Sequence, residues 1–456
     1  MEVIMEDQEL TIEPKDYGLL TDLYELTMAA CYLGEGLDQR QASFELFTRR
    51  LPNHFSYLVA MGLAQALDYL EKLQFTPTQI QALQATGIFA KAPEQFWELL
   101  ANARFSGDVW AVPEGTIVLA NEPLLRVEAP LWQAQIVETY LLNSLNYQTL
   151  IATRAARLRS LVGPEAALLE FGSRRAFSPQ ASIWAARAAL AAGLNSTSNV
   201  LAALKLGRKP SGTMAHALVM ALAATEGSEA DAFTAFHRYF PGAPLLIDTF
   251  DTLAAARHLA AKVEAENLQL AGVRLDSGDL VALSQGVRSL LPQVPIFASG
   301  DLDEWEIQRL QAAGACIDGY GLGTRLVTGS PVNGVYKLVE IDGIPVMKES
   351  SAKMTYPGRK QIFRHFQQGE IKGDRLGLSS ETFAASGREA EIPLLQLVYK
   401  QGQRLHSPET LDTIAQRTLA SVASLPASVR SIEKPASIPL EISAALADLT
   451  QKTRRL

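Results

Sequence analysis

Between residues 166 and 321 the chain repeats one pattern: a short apolar run, a polar cluster, often with glycine, then a longer stretch of helical periodicity. The runs fall at 166–171, 209–213, 245–248, 272–275, 296–299 and 316–321. Strands spaced this far apart are not joined as hairpins. They lie parallel, with helices crossing over between them. Two architectures satisfy that rule, a closed or nearly closed α/β barrel and an open doubly wound sheet, and strand order separates them. The barrel is the preferred reading. In both, residues just past the carboxyl ends of the strands line the ligand site, so the polar clusters are expected to converge.

Four clusters stand in those positions: Ser211-Gly212-Thr213-Met214-Ala215-His216, Arg274-Leu275-Asp276-Ser277-Gly278-Asp279, Ala298-Ser299-Gly300-Asp301 and Gly319-Tyr320-Gly321-Leu322-Gly323-Thr324. Arg274 and Asp276 alternate along a strand end and project to one side, where they suit a phosphate and a ribose hydroxyl, or simply pair with each other. Asp248 and Asp251 end another strand, and Asp251 also suits the cap of the helix beginning at Thr252. His216 opens an apolar helix, as a nucleophile, a base or a structural histidine. Gly319, Gly321 and Gly323 allow backbone N–H groups to approach a phosphate, Thr324 adds a hydroxyl, and a following helix start adds positive potential. Arg174-Arg175 could hold a polyanion, and Phe171 could stack on a flat ring or pack in the core.

At 456 residues the chain has room for two or three domains. Its N-terminal part reads as a helix over 22–34 capped by Thr21 or Asp22, an alternating strand at 42–47, a helix over 57–73 and short strands within 105–127. A continuous helix over 131–161 leads into the repeats, and the alanine-rich stretch 185–194 reads as a close-packed helix. Beyond 328 the pattern changes to hairpins, with 335–341 meeting 344–347 across Asp342-Gly343. The expected division is an N-terminal α/β domain (1–145), the barrel (146–328) and C-terminal hairpins and helices (329–456).

A formal charge of −8 makes general nucleic-acid binding a poor expectation. Cys31 and Cys316 are the only cysteines, too few for a disulfide framework or a four-thiolate zinc site, which fits a reducing, cytoplasmic location. Residues 1–16 carry acids where a signal peptide would carry a basic and then an apolar segment, and no apolar run approaches a membrane span.

Together, and in this order, the motifs resemble the nicotinate phosphoribosyltransferase family: Thr21-Asp22-Leu23-Tyr24-Glu25-Leu26-Thr27, Phe44-Glu45-Leu46-Phe47, Glu170-Phe171-Gly172-Ser173-Arg174-Arg175, the four clusters above, and Val335-Tyr336-Lys337-Leu338. The resemblance implies an irregular TIM-like α/β barrel packed on an α/β domain formed by N- and C-terminal segments. It implies a homodimer with shared active sites, in which Tyr24 of one subunit and Phe171 of the other stack on the pyridine ring. Arg174 and Arg274 would contact nicotinate and phosphate groups, and Asp276 the ribose. Thr213 and Ser299 would also line the substrate site, while Gly300, Gly321, Gly323 and Thr324 would hold the 5′-phosphate. Lys337 and Lys348 would line the pyrophosphate side. His216 would be phosphorylated by ATP, with Asp248 hydrogen-bonded to it, and Mg²⁺ would arrive mainly on the phosphates of phosphoribosyl pyrophosphate and ATP. The protein-side ligands of that metal are not readable from the sequence.

Nicotinamide phosphoribosyltransferases share the same clusters. Relatives that use the amide place an acid after the Phe-Gly loop, whereas the comparable segment here, Asn195-Ser196-Thr197-Ser198-Asn199, has none, which favours an anionic substrate. A non-catalytic nucleotide-sensing barrel is the alternative of another class. Retention of His216, Asp248, Arg274 and Asp276 together weighs against it.

Overall fold

Two large sheets organise the protein, and each answers a different expectation. The computed structural model describes residues 10–350, 353–382 and 391–454, so most of the acidic N-terminal stretch lies outside the described residues.

The first sheet has seven antiparallel strands in the order Ile344–Pro345, Gly334–Ile341, Gln41–Thr48, Pro123–Pro130, Asp108–Ala111, Gln396–Lys400 and Gln403–Arg404. Three N-terminal strands form the middle of this ladder and C-terminal strands form both its edges. The hairpin forms across Asp342-Gly343, both with positive φ (48° and 76°), as a tight primed turn demands. Alternation at 42–47 fails as a guide, because every residue of Gln41–Thr48 after the first is buried. Glu45 is fully buried because a second, four-stranded sheet covers it, and it meets the equally buried Lys360 at 2.9 Å. Such a pair is tolerated because each charge has a partner.

Residues 57–73 are not one helix. Leu58–Val59 is a strand and Leu63–Lys72 the helix, with Gly62 between them at φ 101°. A side chain at 62 would lie 2.7 Å from the carbonyl oxygen of Ser144, so only glycine fits. Helices Leu131–Ile136 and Glu138–Val162 replace the single expected helix, with the break at Val137. Residue 146 falls inside the longer one. That helix serves both halves of the molecule: Thr149 and Thr153 receive the backbone N–H groups of Met61 (3.2 Å) and Val59 (2.9 Å), and its far end reaches the second large sheet. The alanine-rich stretch belongs to helix Pro179–Ala191, where Ala185, Ala188, Ala189 and Ala191 are fully buried.

The second large sheet has six strands, all parallel: Ser196–Thr197, Ala167–Glu170, Gly319–Leu322, Ile296–Ser299, Val273–Leu275 and Leu245–Leu246, in that spatial order. Its first strand in sequence, Ala167–Glu170, pairs with its last, Gly319–Leu322. Apart from Ser196–Thr197 and Leu245–Leu246, which stand at opposite edges, neighbours in sequence are otherwise neighbours in space, so the strand order runs round in one direction, as a nearly closed barrel requires. A doubly wound sheet would reverse direction partway, and this one does not. The ring is open at one place, between Ser196–Thr197 and Leu245–Leu246. The run at 209–213, expected as a strand, lies in that gap without forming a ladder. Ser211 donates its N–H to Thr197 (2.9 Å) on one side, and the Thr213 hydroxyl reaches Pro244 (2.5 Å) on the other. The α/β class and parallel sheet hold, with two polar bonds replacing one strand.

No helix of the described residues is long and apolar enough to cross a membrane. Among them, no group of three or more His, Cys, Asp or Glu side chains is placed to hold a metal ion.

Candidate active site

Each parallel strand ends in a polar loop, and the loop's first duty is to start the next helix. Asp251 accepts from Ala254 N (2.9 Å), Asp303 from Glu306 N (2.9 Å), and Asp279 from Val281 and Ala282 (3.1 and 3.2 Å). These carboxylates are N-caps, each accepting through one oxygen. Asp248 and Asp276 occupy equivalent places in sequence but cap nothing, and they face His216 instead.

Asp248 has a side chain only 2% exposed. Its Oδ2 accepts the Asp276 N–H (2.8 Å) and the Ser277 hydroxyl (2.7 Å), while Oδ1 is buried with no partner. Asp276 is held from the next strand, where the buried Ser299 hydroxyl donates to its Oδ1. His216 Nε2 stands 4.0 Å from Asp248 Oδ1 and 4.0 Å from Asp276 Oδ2. That is beyond hydrogen-bond distance. The hydrogen bond expected from Asp248 comes from Thr249, whose hydroxyl lies 3.0 Å from His216 Nδ1. Asp248 Oδ1 stops short of Nε2 while Thr249 engages Nδ1, so Thr249 fixes the ring and leaves Nε2 facing two carboxylates.

Arg274 does not pair with Asp276. Its Nε is buried without a hydrogen-bond partner, and no carboxylate lies within ion-pair distance of it among the described residues. Burial pushes its guanidinium below the usual range; Asp276 and Asp248 oppose this, and the neighbouring Arg174 adds to it. An unpartnered, partly desolvated arginine beside a second one is a place for an anion. Arg174 is exposed, in the turn after Phe171.

The glycines divide by role. A Cβ at Gly321 would meet the Phe171 ring at 2.6 Å, so this glycine makes room for the aromatic ring rather than for a phosphate. At Gly300, with φ 97°, a Cβ would lie 2.4 Å from the Asp276 carbonyl oxygen, so the close approach of two loops requires glycine. A Cβ at Gly323 would meet nothing beyond its chain neighbours nearer than Phe171 O at 3.6 Å, leaving this side of the backbone open beside Thr324. The helix that follows, Thr324–Val327, is a single turn, too short for the dipole contribution expected of it. Thr213 lines the same end of the sheet, but its hydroxyl is committed to Pro244.

Three expected residues lie elsewhere. Tyr24 stands beside Glu138, whose carboxylate is 3.7 Å from Lys337, on the seven-stranded side of the molecule. Tyr24 is 44% exposed and makes no ring contact with Phe171 among the described residues of the chain. Lys348 is exposed after the hairpin. Beneath Tyr24, the buried Glu25 accepts from the Thr21 hydroxyl and from Thr139 N (3.1 Å). Burial, with Glu138 adding to it, raises its carboxyl from 4.5 to about 7 against those hydrogen bonds.

A carboxyl raised in the folded state holds its proton where the unfolded chain has lost it. Its contribution to stability is therefore full below pH 4.5 and is lost as pH rises to about 7. Glu25→Gln keeps the shape and removes the loss, on the order of 2 kcal/mol at the upper end. Denaturant unfolding at pH 5 and pH 8 is expected to show the variant gaining on the wild type only at pH 8; parallel curves at both would refute the assignment.

Two residues escape sequence reasoning. Thr249 is visible only as a polar residue after a strand-end acid. Glu170, fully buried, accepts from the Gly172 N–H and the Thr197 hydroxyl (2.5 Å), and so sets the Phe171 loop. Its only signal is an acid at the last position of an apolar strand.

Comparison with known proteins bears on the whole of this arrangement. Family models for the nicotinate phosphoribosyltransferase (NAPRTase) N-terminal domain, the NAPRTase family and the NAPRTase C-terminal domain match residues 19–146, 166–296 and 380–450. The chain is 41% identical to nicotinate phosphoribosyltransferase pncB2 of Mycobacterium tuberculosis over 439 residues, covering 93% of this chain and 91% of that protein. It is 39% identical to the nicotinate phosphoribosyltransferase of Bacillus subtilis over 465 residues, covering 93% of each. The crystal structure of human nicotinic acid phosphoribosyltransferase superimposes with a TM-score of 0.80 at 29% identity, covering 95% of this chain and 99% of that one. With that coverage in sequence and in fold, the chain belongs to the nicotinate phosphoribosyltransferase family.

Proposed function

We propose that this protein transfers the phosphoribosyl group of phosphoribosyl pyrophosphate to the ring nitrogen of nicotinate, the first step of NAD salvage from nicotinic acid, and couples the transfer to ATP through His216. The observation that carries the reading is the convergence, at one end of the parallel sheet, of an unpartnered Arg274 beside Arg174, the Phe171 ring, two carboxylates and an open glycine backbone.

The C1–oxygen bond to pyrophosphate breaks as the C1–nitrogen bond forms, through a state with positive charge on the ribose. Asp276 presents Oδ2 to the cleft for the ribose hydroxyls, and its charge opposes the developing cation. Phe171 fixes the plane of the pyridine ring so that nitrogen and C1 stay in line. Arg174 and Arg274 hold the carboxylate and phosphate groups, and Gly300, Gly323 and Thr324 receive the 5′-phosphate beside the backbone left open at Gly323. Lys337 and Lys348, which lie apart from these groups within one chain, would reach the pyrophosphate side only from a partner copy. Mg²⁺ needs only one or two carboxylates beside substrate phosphates, so a site with Asp276 free on one oxygen suits a magnesium carried in by the donor, where it would neutralise pyrophosphate charge.

In the ATP half-reaction, His216 Nε2 attacks the γ-phosphorus and ADP leaves. Thr249 on Nδ1 directs the other nitrogen outward, and the two carboxylates stabilise the cationic ring. Later hydrolysis of the phosphohistidine returns phosphate. Nicotinate is preferred to nicotinamide because the two guanidinium groups favour an anion, and Glu170, the acid just before Phe171, is tied to Gly172 and Thr197. The free cysteines fit a cytoplasmic enzyme.

The reading extends to a homodimer in which Tyr24 of one copy completes the ring clamp of the other, with Leu20, Leu23 and Tyr24 exposed beside one another. Tyr24→Ala should raise the nicotinate KM about tenfold. Mixed with His216→Ala, it should recover ATP-stimulated turnover at low nicotinate; no gain over the two parents would rule out sites shared between subunits.

Product analysis with phosphoribosyl pyrophosphate, Mg²⁺ and either base, with and without ATP, tests the whole. Nicotinate mononucleotide stimulated by ATP supports it. Preferential use of nicotinamide moves the assignment to the amide transferases, and no product from either base points to a sensing barrel.

A further inference from the structure

The amino-terminal end of the parallel sheet, opposite the strand ends described above, carries a second cleft. It lies between helices Glu138–Val162, Pro179–Ala191 and Leu411–Ala423, with a volume of about 380 Å³, and abuts a smaller one of about 270 Å³ with which it shares Ser160 and Arg430. Its position follows from its lining: Gly163 and Pro164 precede strand Ala167–Glu170, and Gly193 and Asn195 precede strand Ser196–Thr197.

The wall is apolar where Leu419 and Val422 face it and cationic at two points. Arg159, 7% exposed, donates to Gly193 O (2.8 Å), Gly163 O (2.7 Å), Ala166 O (2.7 Å) and Asn195 Oδ1 (2.6 Å). All four acceptors are neutral, so the guanidinium is hydrogen-bonded but its charge is uncompensated. Burial lowers its pKa with no carboxylate acting the other way. Arg430 lines both clefts, and its Nε is shut off from solvent with no hydrogen-bond partner. Among the described residues no acid lines either cleft; the nearby Glu433 accepts from Gln308 (3.3 Å). In a chain of net charge −8, a carboxylate-free cavity with two such arginines is a local departure. A buried donor left unmet costs free energy that a ligand can return.

We propose that this cleft is a binding site, separate from the catalytic one, for a small organic anion: a carboxylate or phosphate group met by Arg430 with Arg159 behind it, attached to an apolar body lying against Leu419 and Val422. The volume falls within the range of small-molecule sites.

The probe is 4-iodobenzoate, a carboxylate on an apolar ring whose iodine is located by anomalous scattering in soaked crystals of the full chain. Iodine density beside Leu419, with the carboxylate within hydrogen-bond distance of Arg430, is the expected result. Calorimetric titration should show Arg430→Met binding the probe at this site about tenfold or more weakly. Ala423→Trp, which fills the exposed mouth without removing a charge, should abolish it. Both variants should keep turnover with nicotinate, which shows that they fold. An empty cleft in soaked wild-type crystals, or undiminished cleft binding in both variants, overturns the proposal. Neither result touches the catalytic reading, since the probe's occupancy of the strand-end site is seen separately.

Discussion

Asp276→Asn is expected to lower kcat/KM for phosphoribosyl pyrophosphate by about two to three orders of magnitude while leaving the fold intact. The asparagine can still accept the Ser299 hydroxyl, so position is kept and only charge is removed. What disappears is a fixed anion aimed at a ribose that becomes cationic only in the transition state. Such a contact acts on kcat more than on ground-state binding. Steady-state kinetics over a range of donor concentration, with thermal unfolding as the control for folding, measures it. Activity within about threefold of wild type would show that Asp276 is not where the positive charge develops.

His216→Ala is expected to abolish ATP stimulation altogether, leaving a slow transfer that responds no further to ATP. His216 stands beside Asp248 and Asp276 as a nitrogen nucleophile whose second nitrogen is already engaged. Incorporation of label from γ-labelled ATP reads the step directly, and none should remain in the variant. Thr249→Val separates geometry from chemistry. It keeps the nucleophile but frees the ring, so labelling should slow by about tenfold while still reaching completion. Labelling of His216→Ala at the wild-type rate would place the phosphoryl acceptor elsewhere.

The glycine and histidine roles show how a motif read in one dimension changes in three. Gly321 and Gly323 look alike two residues apart, yet one is filled by an aromatic ring and the other stays open. The five strand-end and helix-start acids, Asp248, Asp251, Asp276, Asp279 and Asp303, form one class by position. Three spend their oxygens on N–H groups two or three residues ahead, and two spend theirs on residues 23 to 29 positions away. Local capping is partly legible, as at Asp251, because the partner lies in the same turn. Pairing between neighbouring strands is not.

What the sequence determined by itself was the alternation of apolar runs, polar loops and helices. With it came the α/β class, the parallel sheet and the end of that sheet on which the polar clusters gather, because periodicity and chain connectivity are local properties. Only the tertiary structure decided that strand order closes the first strand onto the last, and that 209–213 bridges the ring through two polar bonds. It alone showed that Thr249 rather than Asp248 holds the histidine, and that Tyr24 stands apart from Phe171 within one chain. Each of those outcomes turns on which of several adequate partners lies within about 3 Å, a distance set by packing between segments far apart in the chain.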